Sequence, residues 1–124
     1  MSCELIVSFT IDGIHAWPNA PAEYSEFRQS HRHLFKVICY MEVDAHGYDS
    51  RVVELWDLRQ QIQVCIINLW HISSMPYVCD FGSMSCEGIA RWILEAMPNL
   101  TRAFVGEGEN FGAQVTRDFF QSIC

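Results

Sequence analysis

The stretch Ser30-His31-Arg32-His33-Leu34-Phe35-Lys36-Val37 decides how this chain is read. Its β-branched and aromatic content, continued to Val43, suits a strand, and in a strand residues i and i+2 point to the same face. His31 and His33 therefore aim two imidazoles at one point. A neighbouring antiparallel strand can supply a third, and Glu4 to His15 is such a strand: Leu5, Ile6, Val7, Phe9, Thr10 and Ile11 lead to His15 at its end. Three neutral imidazoles around a zinc ion leave a fourth position open for water or substrate, which is the catalytic rather than the structural pattern. An H-x-H pair among five histidines also arises by chance, so the rest of the chain has to support the metal site.

The 124 residues, half of them apolar and 13% aromatic, suit one globular domain (1–124) with its own core rather than a disordered chain. The formal charge is −7 and Lys36 is the lone lysine, a poor basis for neutralising nucleic-acid phosphates. No apolar run reaches the length of a membrane span, and the N-terminus lacks a basic-then-apolar signal. Six cysteines (Cys3, Cys39, Cys65, Cys79, Cys86, Cys124) would suit a disulfide framework in a small secreted protein. Without a signal, and with Cys39, Cys65 and Cys86 inside strand or helix patterns, they read instead as small apolar residues or reduced thiols of a cytoplasmic protein. None forms a C-x-x-C pair.

Along the rest of the chain, Ala16 to Gln29 holds Pro18, Asn19 and Pro21 and reads as a loop. Asp44 to Asp49 is a turn with Gly47 suited to positive φ, and Arg51 to Glu54 extends an edge strand. Leu55, Leu58, Ile62, Cys65, Ile66 and Leu69 recur at helical steps, with Asp57 near the helix start. Ile72 to Ser83 reads as a linker. A second helix runs from about Cys86 to Met97, N-capped by Ser85, with Glu87 in its first turn, Pro98 past its end, and Ile89, Ala90, Ile93 and Met97 on its apolar face. Leu100 to Glu107 and Phe111 to Arg117 form two strands joined at Gly108-Glu109-Asn110. The order β-β-α-α-β-β predicts an α+β fold, a four-stranded antiparallel sheet with two helices on one face.

Five landmarks, in order, resemble the 6-pyruvoyl-tetrahydropterin synthase and 6-carboxy-tetrahydropterin synthase family, of the tunnelling fold. Phe9 to His15 resembles the family's F-x-x-x-A-H, with one extra residue and no alanine before the histidine. His31-Arg32-His33-Leu34-Phe35-Lys36-Val37 resembles H-G-H-x-[YF]-x-V. Val52 to Arg59 resembles [VI]-x-D-F-x-x-L-K, Met84 to Ile93 resembles P-T-x-E-N-x-A-x-x-[IL], and Ala103 to Glu107 followed by Ala113-Gln114-Val115 resembles the closing strand pair. The resemblance implies zinc on His15, His31 and His33, with Glu107 as the pterin anchor and Glu87 as a second site glutamate. A carboxylate suits the anchor because the 2-amino-pyrimidinone edge offers two adjacent N–H donors. Outside the resemblance, Glu107 is a hairpin-end acid and Glu87 complements a helix dipole.

The family's base, a cysteine shortly before H-x-H, is missing from Glu23 to Ser30, and its L-D-H segment stands here as Leu69-Trp70-His71. Some members use a glutamate instead of the cysteine, and Glu26 lies in that window; as a base it would need burial to raise its pKa. Glu26 and His71 are thus the candidate catalytic residues, against plainer roles as a loop acid and a helix C-terminal histidine.

Two functions follow. In the first, a zinc-dependent lyase acts on 7,8-dihydroneopterin triphosphate or a related pterin of biopterin, folate or deazaguanine (queuosine) biosynthesis. In the second, an inactive relative binds or sequesters a pterin, deazapurine or nucleotide. A structural oligomer with vestigial ligands is a weaker third. Arg28, Arg32 and Lys36 are the cations nearest the histidines, although Arg32 and Lys36 oppose them in strand parity and the acidic composition argues mildly against phosphate. The resemblance also implies a homo-oligomer, a trimer or hexamer that pairs sheet edges, with Glu107 acting on a neighbour's zinc.

Overall fold

The computed structural model describes residues 1–117. Cys124 lies outside them. Two long strands form the centre, β1 (Ser2–His15) and β2 (His31–Asp44), paired antiparallel along their whole length from Ser2 opposite Asp44 to His15 opposite His31. Helix α1 (Leu55–Trp70) follows, then strands β3 (His71–Ile72) and β4 (Met75–Asp80), helix α2 (Cys86–Ala96), and strands β5 (Arg102–Glu107) and β6 (Phe111–Thr116). The sheet has six strands in the order β3-β4-β1-β2-β5-β6, not four.

The additional pair comes from the stretch read as a linker. β4 runs parallel to the end of β1 through Asp12–Val78, Gly13–Cys79 and Ile14–Asp80. Its alternation is hidden because Met75, Pro76 and Tyr77 are all exposed, while Val78, Cys79 and Phe81 are buried. Pro76 also reads as a strand breaker, and it is tolerated at the start of a strand. Residues 51–54 form no strand. Val53 packs against the core, and Glu54 caps α1 by accepting from the Trp56 N–H at 3.3 Å. The loop after β1 contains a short 3-10 helix, Ala22–Arg28.

One parity governs the core face of the sheet. Val7, Phe9 and Ile11 on β1, Phe35, Val37 and Cys39 on β2, and Ala103 and Val105 on β5 are buried in one cluster. Ile62 and Ile66 of α1 and Ile89 and Ile93 of α2 cover them, so both helices lie on the same face. The stripe of α1 is narrower than its periodicity suggests, since Leu55 and Leu69 are exposed. Ser85 caps α2 by accepting from the Gly88 N–H at 3.1 Å. Gly108, at φ 75°, supplies the left-handed residue that the β5–β6 hairpin requires. Gly13 is needed for space, because a Cβ there would stand 2.7 Å from the Phe81 ring.

The described cysteines are free. Burial pushes the Cys39 thiol up to about 12 and leads the rise of Cys79 to about 11, so both are inert apolar packing groups. No helix among the described residues is long and apolar enough to cross a membrane.

Candidate metal centre

The buried parity of the central strands continues into polar residues at one end of the sheet. After Val7, Phe9 and Ile11, the next inward position carrying a side chain on β1 is His15. Before Phe35, Val37 and Cys39 come His33 and His31, and after Ala103 and Val105 comes Glu107. Register then aligns them: His15 sits opposite His31, Gly13 opposite His33, and Phe35 opposite Glu107. The imidazole centroids of His15 and His31 are 4.5 Å apart, those of His31 and His33 4.9 Å, and those of His15 and His33 5.3 Å. The fully buried Phe35 ring meets His15 and His33 edge-on and forms the floor beneath them.

The outer ring nitrogens are tied to backbone carbonyls. The Nδ1–H of His15 donates to Met84 O at 2.8 Å, and that of His31 to Gln29 O at 3.1 Å. Each bond leaves Nε2 as the available donor atom toward a metal and fixes the ring, the usual support of a metal-ligating histidine. Burial, the largest influence, holds His33 below the ordinary imidazole pKa, and the neighbouring His15 and His31 act in the same direction while Glu107 pulls against them. Neutral imidazole is the ligating form.

Glu107 Oε1 lies 3.1 Å from His15 Nε2, and its Oε2 lies 3.7 Å from His33 Nε2. With Nδ1–H spent on Met84, a neutral His15 points a lone pair at a carboxylate, and both Nε2 atoms are buried without a hydrogen-bond partner. Leaving such atoms unsatisfied costs about 1–3 kcal/mol each, and a cation between them removes that cost. One donor atom from each of His15, His31, His33 and Glu107 falls within 4.8 Å of the others. Zinc–nitrogen distances near 2.0–2.1 Å place tetrahedral nitrogens roughly 3.3 Å apart, so small side-chain rotations bring the three imidazole nitrogens onto zinc with Glu107 beside it. The donor set fits the metal.

A cleft of about 440 Å³ opens from this cluster, lined by His15, His31, Glu107, Glu87, Trp17, Phe27 and the segment Ser83 to Ser85. Backbone bonds from Phe81 N to Ile14 O (2.9 Å) and Ala16 N to Gly82 O (2.8 Å) hold that segment beside the end of β1. On the other side, Trp17, Tyr24 and Phe27 stack at 6.0 and 6.3 Å, and Phe27 meets His31 at 5.6 Å. Trp17 N–H donating to Phe27 O at 2.7 Å closes this loop on itself.

One chain thus brings His15, His31, His33, Glu107 and Glu87 together, with Glu107 beside its own chain's histidines. It does not bring Glu26 or His71. Glu26 is exposed on the 3-10 helix and lies outside the cleft, although Phe27 beside it is a lining residue. His71 caps α1, with its Nδ1 2.8 Å from Ile67 O. It stands at the far end of the row His71–Cys79–Gly13–His33, three strand spacings or about 14 Å from His33. Trp70, where the family has aspartate, packs against Phe81 and Trp92 at the core. The aromatic wall and the Met84 carbonyl were not anticipated. Three aromatic residues in a short Pro-rich loop were the available signal, since a loop gains little by exposing them; a backbone acceptor leaves none.

No protein-family profile matches the chain, and no curated protein matches it. Solved structures do. The 6-pyruvoyl tetrahydropterin synthase of Caenorhabditis elegans superposes with a TM-score of 0.70 at 10% identity, over 95% of this chain and 97% of that one. The Plasmodium vivax synthase gives 0.64 at 15% identity, over 96% and 99%. A form of the Plasmodium vivax protein with a catalytic glutamate replaced by alanine gives 0.63 at 14%, over 96% and 99%. Spanning such chains almost end to end, this chain has the 6-pyruvoyl tetrahydropterin synthase fold, in a sequence that has diverged far from both.

Proposed function

We propose that the protein is a zinc-dependent lyase acting on a 6-substituted dihydropterin. The observation that carries this reading is the gathering of three histidines and a glutamate at one end of the core face, opening into a cleft that also holds Glu87. His15, His31 and His33 would hold zinc. When bound, zinc supplies Lewis acidity toward the side-chain hydroxyls of the substrate. Glu107 and Glu87 accept from the N–H edge of the pterin ring, which fixes its orientation, and Trp17 and Phe27 offer flat apolar faces to the heterocycle. Proton transfer at the side-chain carbons is assigned to Glu26 or His71. The Plasmodium vivax synthase, whose catalytic residue is a glutamate, supports the choice of a carboxylate.

Neither candidate base lines the cleft of a single chain, so the reading includes a homo-oligomer, trimer or hexamer. In it the open sheet edges β3 and β6 pair between chains, and a base from one chain reaches the cleft of another. Trp70 favours a second reading: with an aromatic core residue in place of the aspartate, the protein binds a pterin without turning it over. The test is incubation of zinc-loaded protein with 7,8-dihydroneopterin and with its triphosphate, followed by chromatographic product detection. A new pterin product that disappears in His31→Ala establishes the lyase. Bound but unchanged pterin moves the protein to the second reading, and absence of binding removes both.

A further inference from the structure

We propose that Glu107 is a ligand of the metal in the pterin-free protein and gives up that contact to the pterin ring, so that the substrate opens its own coordination position. This rests on the pterin reading above and adds a regulation of its site. His15, His31, His33 and Glu107 all belong to one chain, so the cluster is complete before any neighbouring chain is added. One donor atom of each falls within 4.8 Å of the others. The carboxylate is turned toward the imidazoles. Its Oε1 stands 3.1 Å from His15 Nε2 and its Oε2 3.7 Å from His33 Nε2, so each oxygen faces a different ring. Among the described residues it pairs with these two histidines alone. The Nδ1–H of His15 already donates to Met84 O at 2.8 Å, so a neutral His15 turns a lone pair toward the carboxylate. Both Nε2 atoms are buried and unpartnered there. A divalent cation between them satisfies the two rings and the carboxylate together, and imidazole nitrogen and carboxylate oxygen are both ordinary zinc donors.

The same two oxygens are what the pterin edge requires. Its adjacent N–H donors take both of them, and a carboxylate so occupied has left the metal. The two contacts therefore exclude each other. Glu87, in the first turn of α2, lines the same cleft but lies outside the donor group, so it is free to meet the ring first. Glu107 then turns from the metal to the ring edge. One metal–oxygen contact breaks, a hydroxyl oxygen of the substrate side chain takes the vacated position, and no electron is transferred. The site is closed at rest, in the manner of a structural zinc site, and becomes open only with its substrate.

The experiment compares the full chain with Glu107→Gln and Glu87→Gln, first with metal alone and then with 7,8-dihydroneopterin. Zinc affinity is read by chelator competition, and the ligand set by the visible absorption of cobalt(II) put in place of zinc. With metal alone, Glu107→Gln should bind zinc about tenfold or more weakly and shift the cobalt bands. Glu87→Gln, the same loss of charge in the same cleft, should do neither. Added 7,8-dihydroneopterin should shift the bands of the parent protein. Unchanged affinity and bands in Glu107→Gln, or equal changes in both variants, overturn the inference and leave the pterin reading in place. Calorimetric binding of the pterin that leaves the parent's bands unmoved overturns it as well. If no pterin binds, the pterin reading fails and the exchange fails with it, while the comparison with metal alone still decides whether Glu107 is a ligand.

Discussion

The histidine end of β1, β2 and β5 and the outer edge formed by β3 and β4 belong to one sheet but are built in opposite ways. The first sits on two fourteen-residue strands whose register is set over their full length. A slip of one residue would turn Val7, Phe9, Phe35 and Val37 to the wrong face, so core packing fixes His15, His31, His33 and Glu107 as well. The second is a two-residue strand with an irregular register against β4, ending at a solvent edge. His71 is held instead by the end of α1, with its Nδ1 2.8 Å from Ile67 O. The geometry of the candidate ligands is thus a by-product of folding, whereas that of His71 depends on what covers the edge.

The sharpest break of this contrast comes from turnover. If pterin is converted, removing the true base, by Glu26→Gln or His71→Ala, should lower the single-turnover rate by about 10²–10⁴, with zinc content unchanged. A rate unaffected by both substitutions would place the base elsewhere. Dilution below the assembly threshold should lower the rate in the same way, which sedimentation run alongside the assay can check.

The contrast in packing should appear in stability. Ile62→Ala, a fully buried deletion beneath the central strands, should cost about 2–5 kcal/mol in urea unfolding. Tyr77→Ala, on the exposed part of β4, should change it by no more than about 0.5 kcal/mol. Comparable losses at both sites would mean that the edge is as firmly determined as the centre.

Glu107→Gln separates the two neighbours of that carboxylate. As the pterin anchor it contributes charge-assisted hydrogen bonds, and its loss should weaken pterin binding by roughly ten- to a hundredfold. A drop in zinc affinity with pterin binding unchanged would make it a metal ligand alone; competition with a chromophoric chelator reads the difference.

The smallest effect is a pH dependence of the metal-free protein. Burial holds His33 below its ordinary value of 6.5, so on acidification the unfolded chain takes up this proton before the folded one. Stability present above that value should therefore decline as pH falls through it toward the lower folded pKa. His33→Gln should flatten this slope in urea midpoints measured between about pH 7.5 and 5.5. A slope unchanged in the variant would assign the dependence to another group.

How far the sequence was legible follows the same division. Period-two alternation in β1 and β2 and the i, i+2 histidines made the centre readable, because long strands with one buried face write their register into the residue pattern. The α2 boundaries were readable through Ser85 and Pro98. The β3–β4 hairpin was hidden by exposed Met75, Pro76 and Tyr77, since a short edge strand has no buried face to announce it. The Arg51–Glu54 stretch carried strand-like valines, but Glu54 serves as a helix cap. Glu107 was singled out only through the family resemblance, and its position against its own chain's His15 depended on three-strand registry that no local pattern records. The aromatic wall of Trp17, Tyr24 and Phe27 arises from a loop folding on itself, where periodicity says nothing.

The most direct test of the account is zinc content and affinity of the purified protein beside His33→Ala, with circular dichroism confirming that both are folded. The account predicts about one zinc per chain in the parent protein and, in the variant, an affinity lower by more than roughly a hundredfold, beyond what supporting residues around a metal site cost. A folded parent protein that takes up no zinc, or a variant that binds it equally well, would contradict it.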